Sequence, residues 1–187
     1  MADNSKEAKR RIRAEMRERE KTLSAEDSAR MSASVMAQFE EIPQFKAART
    51  VLLYMSISGE VETRNFIDRW AGAKRMAVPL VAGTDLELRL YDPSKLAAGY
   101  RGIPEPSEDS ARIDPSEVDF AIVPGVAFEE TAGGKVRRLG RGKGFYDRLL
   151  PRLSCPVYAA AFGFRMIADL PTDPWDALLD GVCTVHR

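Results

Sequence analysis

Histidine and cysteine are scarce in this chain of 187 residues, which contains one histidine, His186, and two cysteines. A single histidine argues against Ser-His-Asp or Cys-His catalysis and against metal sites built from several histidines. The cysteines, Cys155 and Cys183, form no CxxC pair, so neither a disulfide scaffold nor a Cys-rich zinc module is predicted. Two isolated thiols are typical of a protein from a reducing compartment.

Long hydrophobic runs are also missing, since no stretch approaches the roughly 18 apolar residues that a membrane helix needs. The first residues, MADNSKEAKRRIRAEM, carry charges with no apolar segment after them, unlike a secretory signal peptide. Neither sign of charge is in excess, because 28 Lys and Arg balance 28 Asp and Glu. The balance argues against a chain-wide affinity for nucleic acid. We therefore expect a cytoplasmic protein with no membrane or nucleic-acid partner.

The chain has enough apolar residues, 44 %, for a buried core. Its length suits one domain over residues 1–187, which we expect to act as a monomer.

Short apolar runs of strand length alternate with segments of helical pattern. Helices are predicted over residues 5–21, from an N-cap at Ser24 to about 41, after Thr63, and over 144–150. The first of these has only a narrow apolar stripe, formed by Ala8, Ile12 and Met16. Strands are predicted over residues 50–56, 75–81, 86–90, 118–123, 157–162 and 182–185, with 99–117 as a loop. This alternation predicts an α/β fold, a three-layer sandwich around a largely parallel sheet.

A glycine-rich basic loop carries most of the chemical information. Gly140, Gly142 and Gly144 alternate with Arg141 and Lys143. Glycines at this spacing let backbone N–H groups converge on an anion, and residues 135–152 hold seven basic residues against one acid. The spacing matches neither a Walker A loop nor a dinucleotide-binding fingerprint. The loop predicts a phosphate-rich ligand, with a flexible basic surface loop as the alternative.

Asp147, the one acid in that segment, directly follows the loop. A carboxylate beside a phosphate site commonly holds Mg²⁺. The alternative is an acid in the first turn of a helix, paired with a neighbouring arginine.

The string RLGRGKGFYD at residues 138–147, with PGVAF at 124–128, resembles the signature of the 5-formyltetrahydrofolate cyclo-ligase family. Shorter strings resemble further parts of the family pattern in the same order, at residues 9–13, 23–24, 60–63, 102–106, 170–171, 176 and 180–184. The chain departs from that pattern at Phe145, Trp175 and Val185, and in an extra Gly133-Gly134.

The resemblance implies closure of 5-formyltetrahydrofolate to 5,10-methenyltetrahydrofolate at the expense of ATP, with Mg²⁺ as cofactor and ADP and phosphate as products. In this chemistry the formyl oxygen is phosphorylated, N10 attacks the activated carbon, and phosphate leaves. The implied fold is the one shared by ribose-5-phosphate isomerases and glucosamine-phosphate isomerases.

The same resemblance assigns residues to roles. Arg141 and Lys143 are the implied catalytic residues. The implied ATP-binding residues are Lys9, Arg10, Arg13, Arg138, Leu139, Gly140, Arg141, Gly142, Lys143, Gly144, Phe145 and Tyr146. The implied folate-binding residues are Arg13, Met55, Glu60, Arg141, Gly142, Lys143, Gly144 and Phe145. Asp147 and Asp180 are the implied Mg²⁺ ligands.

Taken without the resemblance, several of these residues have simpler interpretations. Lys9 and Arg13 lie at i,i+4 on one helical face and can point at one polyanion, or they belong to a solvated charged helix. Glu60 follows a buried strand, where α/β sheets bind ligands, or it is an ordinary loop acid. Phe145 and Tyr146 stack on a flat heterocycle or belong to the helix core.

Two other functions stay open at this point. The first is that of a family relative that keeps the nucleotide loop but acts on a different substrate. The departures at Phe145, Trp175 and Val185 allow this alternative. A nucleic-acid-binding module is disfavoured by the zero net charge and by the lack of clustered aromatic residues.

Overall fold

A computed structural model describes residues 2–99, 104–173 and 176–186, with residues 2–4 described by their backbone alone. The helices in these ranges are α1 Ala2–Glu20, α2 Ala25–Phe39, α3 Pro43–Ala47, α4 Arg64–Trp70 and α5 Phe145–Leu149. The strands are β1 Thr50–Leu53, β2 Arg75–Ala82, β3 Asp85–Leu90, β4 Leu96–Ala98, β5 Pro104–Pro106, β6 Arg112–Ile113, β7 Phe120–Val123, β8 Ala127–Glu130, β9 Val136–Leu139, β10 Val157–Phe162 and β11 Gly181–Val185.

The central sheet has the strand order β11-β10-β7-β1-β2-β3-β6. Its first five strands in that order run parallel, whereas β3 and β6 are antiparallel to their neighbours. This confirms the predicted α/β class with a largely parallel sheet. The more specific likeness to the sugar-phosphate isomerase fold stays a prediction.

Side chains along each buried strand point alternately to the two faces of the sheet, as the pleat requires. In β7, Phe120 and Ile122 belong to one core cluster, and Ala121 and Val123 belong to the other. The first cluster lies under α2, α3 and α4, while α5 and the β8–β9 hairpin supply side chains to the second. The third layer is therefore partly a β-hairpin, where helices were expected.

The structure differs from the sequence-based segments at several places. Helix α3 was not predicted; Pro43 begins it, at a position whose N–H has no partner within the helix. The hairpin β8–β9 was not predicted, and its turn contains the extra glycines, with Gly134 at φ 73°. Part of the predicted loop at 99–117 forms β5 and β6; residues 100–103 lie outside the described residues.

Helix α1 packs against the hairpin through a third, smaller cluster. Met16, 1 % exposed, meets Val126, Ala127, Leu139 and Leu170 there. The narrow apolar stripe was therefore predicted correctly. Met16, at its end, is almost completely buried in this cluster. Among the described residues, no helix is both long and apolar enough to span a membrane.

Candidate active site

A cleft opens at the carboxyl end of the parallel strands, where open α/β sheets bind their ligands. Tyr54 and Met55 follow β1, and Pro124 and Gly125 follow β7; all four line the cleft. The glycine-rich loop, Gly140–Gly144, closes one side. The remaining lining residues are Ile57, Glu60, Pro79, Val81, Leu86, Glu105, Arg138, Phe145, Tyr146 and Asp147.

The cleft is chemically two-sided. Its apolar surface comes from Met55 and Ile57, from the β2–β3 hairpin, and from Phe145. Its cationic surface comes from Arg138 and from Arg141 and Lys143 in the loop. Such a cleft suits a ligand pair that combines a flat, largely apolar ring with phosphate groups.

Glycine is favoured at each of the three loop positions for a different structural reason. Gly142 and Gly144 have φ angles of 93° and 72°, in the left-handed region that favours glycine. Gly140 has no such angle, but a Cβ there would lie 2.9 Å from Nη1 of Arg138. Another residue at Gly142 or Gly144 would strain the backbone, and a side chain at Gly140 would displace the guanidinium of Arg138.

The buried guanidinium of Arg138 forms an ion pair with the partly exposed Asp147 beside the loop. Arg138 Nη2 donates to Oδ1 of Asp147 at 2.6 Å, and Nη1 donates to the carbonyl of Pro124 at 3.3 Å. The guanidinium lies 5.4 Å from the ring centroid of Tyr146. Burial lowers the pKa of Arg138, and the Asp147 charge opposes that shift. Asp147 is thus a first-turn acid paired with an arginine, and it also lines the cleft.

Glu60 and Arg141 form a second pair across the cleft. Glu60 Oε1 accepts from Nε and Nη2 of Arg141 at 3.2 and 3.1 Å, and Oε2 accepts from the N–H of Ile57 at 3.2 Å. The Glu60 side chain is only 9 % exposed. Burial raises the pKa of Glu60, while the charge of Arg141 works against that rise. Glu60 is therefore a buried cleft carboxylate and not an ordinary loop acid.

The loop that carries Glu60 is held by the residue three positions further on. Thr63 Oγ1 donates to the carbonyl of Tyr54 at 2.6 Å and accepts from the N–H of Ser56 at 3.2 Å. The E-x-x-T string therefore supplies a carboxylate together with the clamp that fixes its loop.

Helix α1 sends two cations toward the loop. Arg13 Nε donates to the carbonyl of Gly140 at 2.8 Å, and its guanidinium lies beside Gly142. Lys9 lies on the same face, with its ammonium 2.7 Å from carboxylate oxygens of both Asp173 and Asp176. Lys9 is thus held by two acids next to the cleft and is not among the cleft-lining residues.

The cleft lining does not include four of the implied ATP-binding residues, namely Lys9, Arg10, Arg13 and Leu139. The side chain of Arg10 is 80 % exposed and pairs with Glu7, because the next residue along a helix points about 100° away from Lys9. Leu139 is 3 % exposed and packs under α1. The other implied residues of the loop segment, together with Met55, lie at the cleft.

Asp180 lies away from the cleft, at the amino end of β11. Its Oδ1 accepts from Nζ of Lys135 and its Oδ2 from the N–H of Val157, both at 2.7 Å. Val157 begins β10, which runs parallel to β1 and β7, so Asp180 is at the edge of the sheet opposite to Asp147. The structure therefore does not bring Asp147 and Asp180 together.

Aromatic residues at the site divide their surfaces between cleft and core. Phe145 and Tyr146 both line the cleft and both pack against core clusters. Val185, at the end of β11, packs against the first core cluster. Trp175 lies outside the described residues.

Sequence reasoning assigned no role to three acids and one arginine near the site. Glu105 lines the cleft and is 8 % exposed, and it belongs to the string at 102–106 that carried no assigned role. Asp173 and Asp176 hold Lys9. Arg165 is 2 % exposed, although nothing in its local sequence distinguishes it from a surface arginine.

Comparison with known proteins gives one consistent result. A model of the 5-formyltetrahydrofolate cyclo-ligase family matches residues 5–185. The 5-formyltetrahydrofolate cyclo-ligase of Escherichia coli K12 is 32 % identical over 182 residues, covering 92 % of this chain and 97 % of the relative. The mouse 5-formyltetrahydrofolate cyclo-ligase is 28 % identical over 191 residues, covering 94 % and 92 %.

Solved structures agree with this result. The NMR structure of Aquifex aeolicus 5,10-methenyltetrahydrofolate synthetase is similar with a TM-score of 0.84 and 35 % identity, covering 94 % of this chain and 89 % of that one. A 5,10-methenyltetrahydrofolate synthetase from Mycoplasma pneumoniae shares the fold, with a TM-score of 0.74, 23 % identity, and coverage of 94 % and 97 %.

Proposed function

The chain belongs to the 5-formyltetrahydrofolate cyclo-ligase family, and on this premise we propose that it closes 5-formyltetrahydrofolate to 5,10-methenyltetrahydrofolate with ATP. The observation that carries the proposal is the two-sided cleft, in which a glycine-rich cationic loop faces the buried carboxylate of Glu60. The loop suits the phosphates of ATP, and the apolar side together with Glu60 suits the folate ring system.

The proposed reaction transfers the γ-phosphoryl group of ATP to the formyl oxygen of the folate. N10 then attacks the activated formyl carbon, and the former formyl oxygen leaves in the phosphate. Phosphoryl transfer relies on positioning and on neutralising charge, which explains how a chain with one histidine can catalyse it.

Lys143 and Arg141 are the proposed catalytic cations. The Lys143 side chain is exposed at the cleft, and within the described part of the chain its ammonium has no carboxylate partner. Lys143 is therefore the cation that is free to approach a phosphate. Arg141 is already bound to Glu60, so its role is to connect the phosphate side of the cleft with the folate side.

The site fits Mg²⁺ held by one carboxylate together with substrate phosphates, which is a common arrangement for this ion. Asp147 lines the cleft, and only its Oδ1 is engaged by Arg138. The described residues contain no cluster of three or more possible metal ligands, so the remaining ligands would come from phosphate and water. When bound, Mg²⁺ would neutralise charge on the phosphates.

The proposal also includes what the sequence led us to expect about the whole protein. It is a single domain that acts as a cytoplasmic monomer on ATP and 5-formyltetrahydrofolate.

The test is an absorbance assay of 5,10-methenyltetrahydrofolate formation from 5-formyltetrahydrofolate, run with and without ATP, with ADP measured in parallel. We expect product only with ATP, and one ADP for each molecule of product. A protein that binds ATP but forms no methenyl product would refute the proposal and favour a relative with another substrate.

A further inference from the structure

Arg165 is a buried cation close to the site. It follows β10, in the single helical turn Gly163–Arg165, and only 2 % of its side chain is exposed. No part of the proposed reaction uses it. Burying a guanidinium is costly unless it is well paired, so its contacts indicate what it does.

The contacts of Arg165 join three separate segments. Nη1 donates to the carbonyl of Val126 at 2.8 Å, and Nη2 donates to the carbonyl of Gly59 at 2.5 Å. Nη2 also pairs with the carboxylate of Glu20 at the end of α1. The guanidinium carbon lies 5.2 Å from the ring centroid of Phe164.

Arg165 and the two residues whose carbonyl groups it binds belong to connections that follow the carboxyl ends of three neighbouring strands. Gly59 belongs to the connection after β1, Val126 to the one after β7, and Arg165 to the one after β10. One side chain therefore links three connections at the edge of the sheet where the cleft opens.

The turn next to Glu60 rests directly on this ion pair. Gly59 has a φ angle of 83°, and a Cβ at this position would lie 2.6 Å from Cδ of Glu20. The N–H of Glu60 donates to the carbonyl of Ile57 at 3.0 Å, which closes the turn. The place of Glu60 in the cleft thus depends on a turn fixed by α1 and Arg165.

We propose that Arg165 is a positioning residue, which holds the Gly59–Glu60 turn against the end of α1 and so keeps the Glu60 carboxylate in the cleft. This inference rests on the proposed function, because Glu60 matters to the reaction only if the cleft binds the folate. It assigns Arg165 to folate binding and not to ATP binding.

Arg165 also favours the charged form of Glu60, in addition to holding its turn in place. Arg141 and Arg165 both lower the pKa of Glu60 against the effect of burial. The other titratable groups coupled to Glu60 are the phenols of Tyr54, at the end of β1, and Tyr146, in α5. Loss of Arg165 should therefore make the Glu60 carboxylate harder to ionise.

The experiment compares Arg165→Met and Arg165→Lys with the wild type. In Arg165→Met we expect the KM for 5-formyltetrahydrofolate to rise at least tenfold, while the KM for ATP stays within about twofold. The acidic limb of kcat/KM for the folate, which reports groups of the free enzyme, should move to higher pH. Arg165→Lys keeps the positive charge but loses the two-pronged guanidinium that binds both carbonyl groups. The KM for the folate should therefore rise with little movement of the acidic limb.

Arg89→Met is the matched control. Arg89 is also buried, pairs with Glu87 at 2.6 Å, and donates to the carbonyls of Glu108 and Ser110, but it does not line the cleft. We expect it to lower stability without changing either KM or the pH profile. Adding Glu60→Gln to Arg165→Met should abolish the movement of the acidic limb.

Hydrogen exchange of residues 56–62 provides a readout that needs no activity. It should be faster in Arg165→Met than in Arg89→Met. If Arg165→Met does not fold, Glu20→Gln removes one charge of the pair and should show the same changes to a smaller extent. An inactive wild type refutes the proposed function alone, whereas equal exchange in the two arginine variants, or an unchanged folate KM in folded Arg165→Met, overturns the role of Arg165.

Discussion

Asp147 pairs with Arg138 and is also the proposed Mg²⁺ ligand, so its substitution has two effects that must be separated. Its Oδ1 is bound to a guanidinium that is almost completely buried. Removing the carboxylate charge therefore affects both the proposed metal site and the partner of a buried guanidinium, and the second effect is destabilising by itself. A control acid with a structural ion pair but no place in the cleft is needed, and Asp180 provides it.

We predict that Asp147→Asn lowers turnover by orders of magnitude and changes its dependence on Mg²⁺ concentration. Asp180→Asn should lower the Tm, because it weakens the contacts with Lys135 and Val157, but should leave the Mg²⁺ dependence unchanged. Turnover measured over a Mg²⁺ series, with a thermal melt of each variant, checks both. Near-normal turnover in Asp147→Asn at ordinary Mg²⁺ would remove Asp147 from the metal site, and a changed Mg²⁺ dependence in Asp180→Asn would restore Asp180 to it.

The two loop cations should give different results when each is removed. Lys143→Ala should weaken binding of a non-hydrolysable ATP analogue by about 1.5–3 kcal/mol, or roughly 10- to 150-fold, because one charge-assisted contact is lost. Binding of the folate should hardly change. Calorimetric titration with each ligand is the measurement, and Lys46→Ala, a lysine paired with Glu41 and absent from the cleft lining, is the control. Unchanged affinity for the analogue would mean that the glycine-rich loop is only a basic surface loop.

Arg141→Ala should impair the folate side as well, because Arg141 is the partner of Glu60. Burial already raises the pKa of Glu60, and losing the opposing cation raises that pKa further. If the carboxylate form binds the folate, affinity is kept above this pKa and lost as the pH falls through it. The folate affinity of Arg141→Ala should therefore begin to fall at a higher pH than that of the wild type, in titrations over a pH series. Coinciding pH profiles would show that Arg141 does not control the charge of Glu60.

At the scale of elements, contacts spread along the length of α1 hold it against the rest of the protein, in addition to the bond from Arg13 to Gly140. Lys9 binds two carboxylates, Met16 enters a small apolar cluster, and Glu20 pairs with Arg165. Its narrow apolar stripe taken alone indicates a weakly held helix, because polar partners elsewhere in the chain leave no trace in the periodicity of the helix itself.

We predict that Met16→Ala loosens α1 selectively. Truncating a buried methionine costs about 2–5 kcal/mol, and the cluster around Met16 is separate from the two clusters that line the sheet. Hydrogen exchange of the α1 amides should therefore accelerate, while that of β1 and β7 should stay slow. Arg17→Ala, on the exposed face of the same helix, is the control. Exchange that accelerates equally throughout the protein would show that α1 unfolds only with the whole molecule.

At the scale of the whole molecule, most of the basic charge near the glycine-rich loop is paired. Of the seven basic residues in 135–152, five have carboxylate partners, namely Lys135, Arg137, Arg138, Arg141 and Arg148. The partners come from β3, β8, the turn after β1, the start of α5 and the start of β11. The local excess of positive charge in the sequence is therefore much smaller in the folded protein. Among the described residues that line the cleft, Lys143 is the cation without a carboxylate partner.

The sequence was enough to predict the α/β class, because strands buried on both faces appear as solid apolar runs that alternate with helical patterns. It also determined the glycine-rich loop and its neighbour Asp147, since these residues are contiguous and their backbone requirements are local. The pairing of Glu60 with Arg141, the link from Arg165 to Gly59 and the position of Asp180 were decided by the tertiary structure. The first two contacts span 81 and 106 residues, and Asp180 is set apart from Asp147 by the direction of the parallel strands. Such contacts depend on strand order and on which edge of the sheet each loop reaches, and no local periodicity or spacing contains that information.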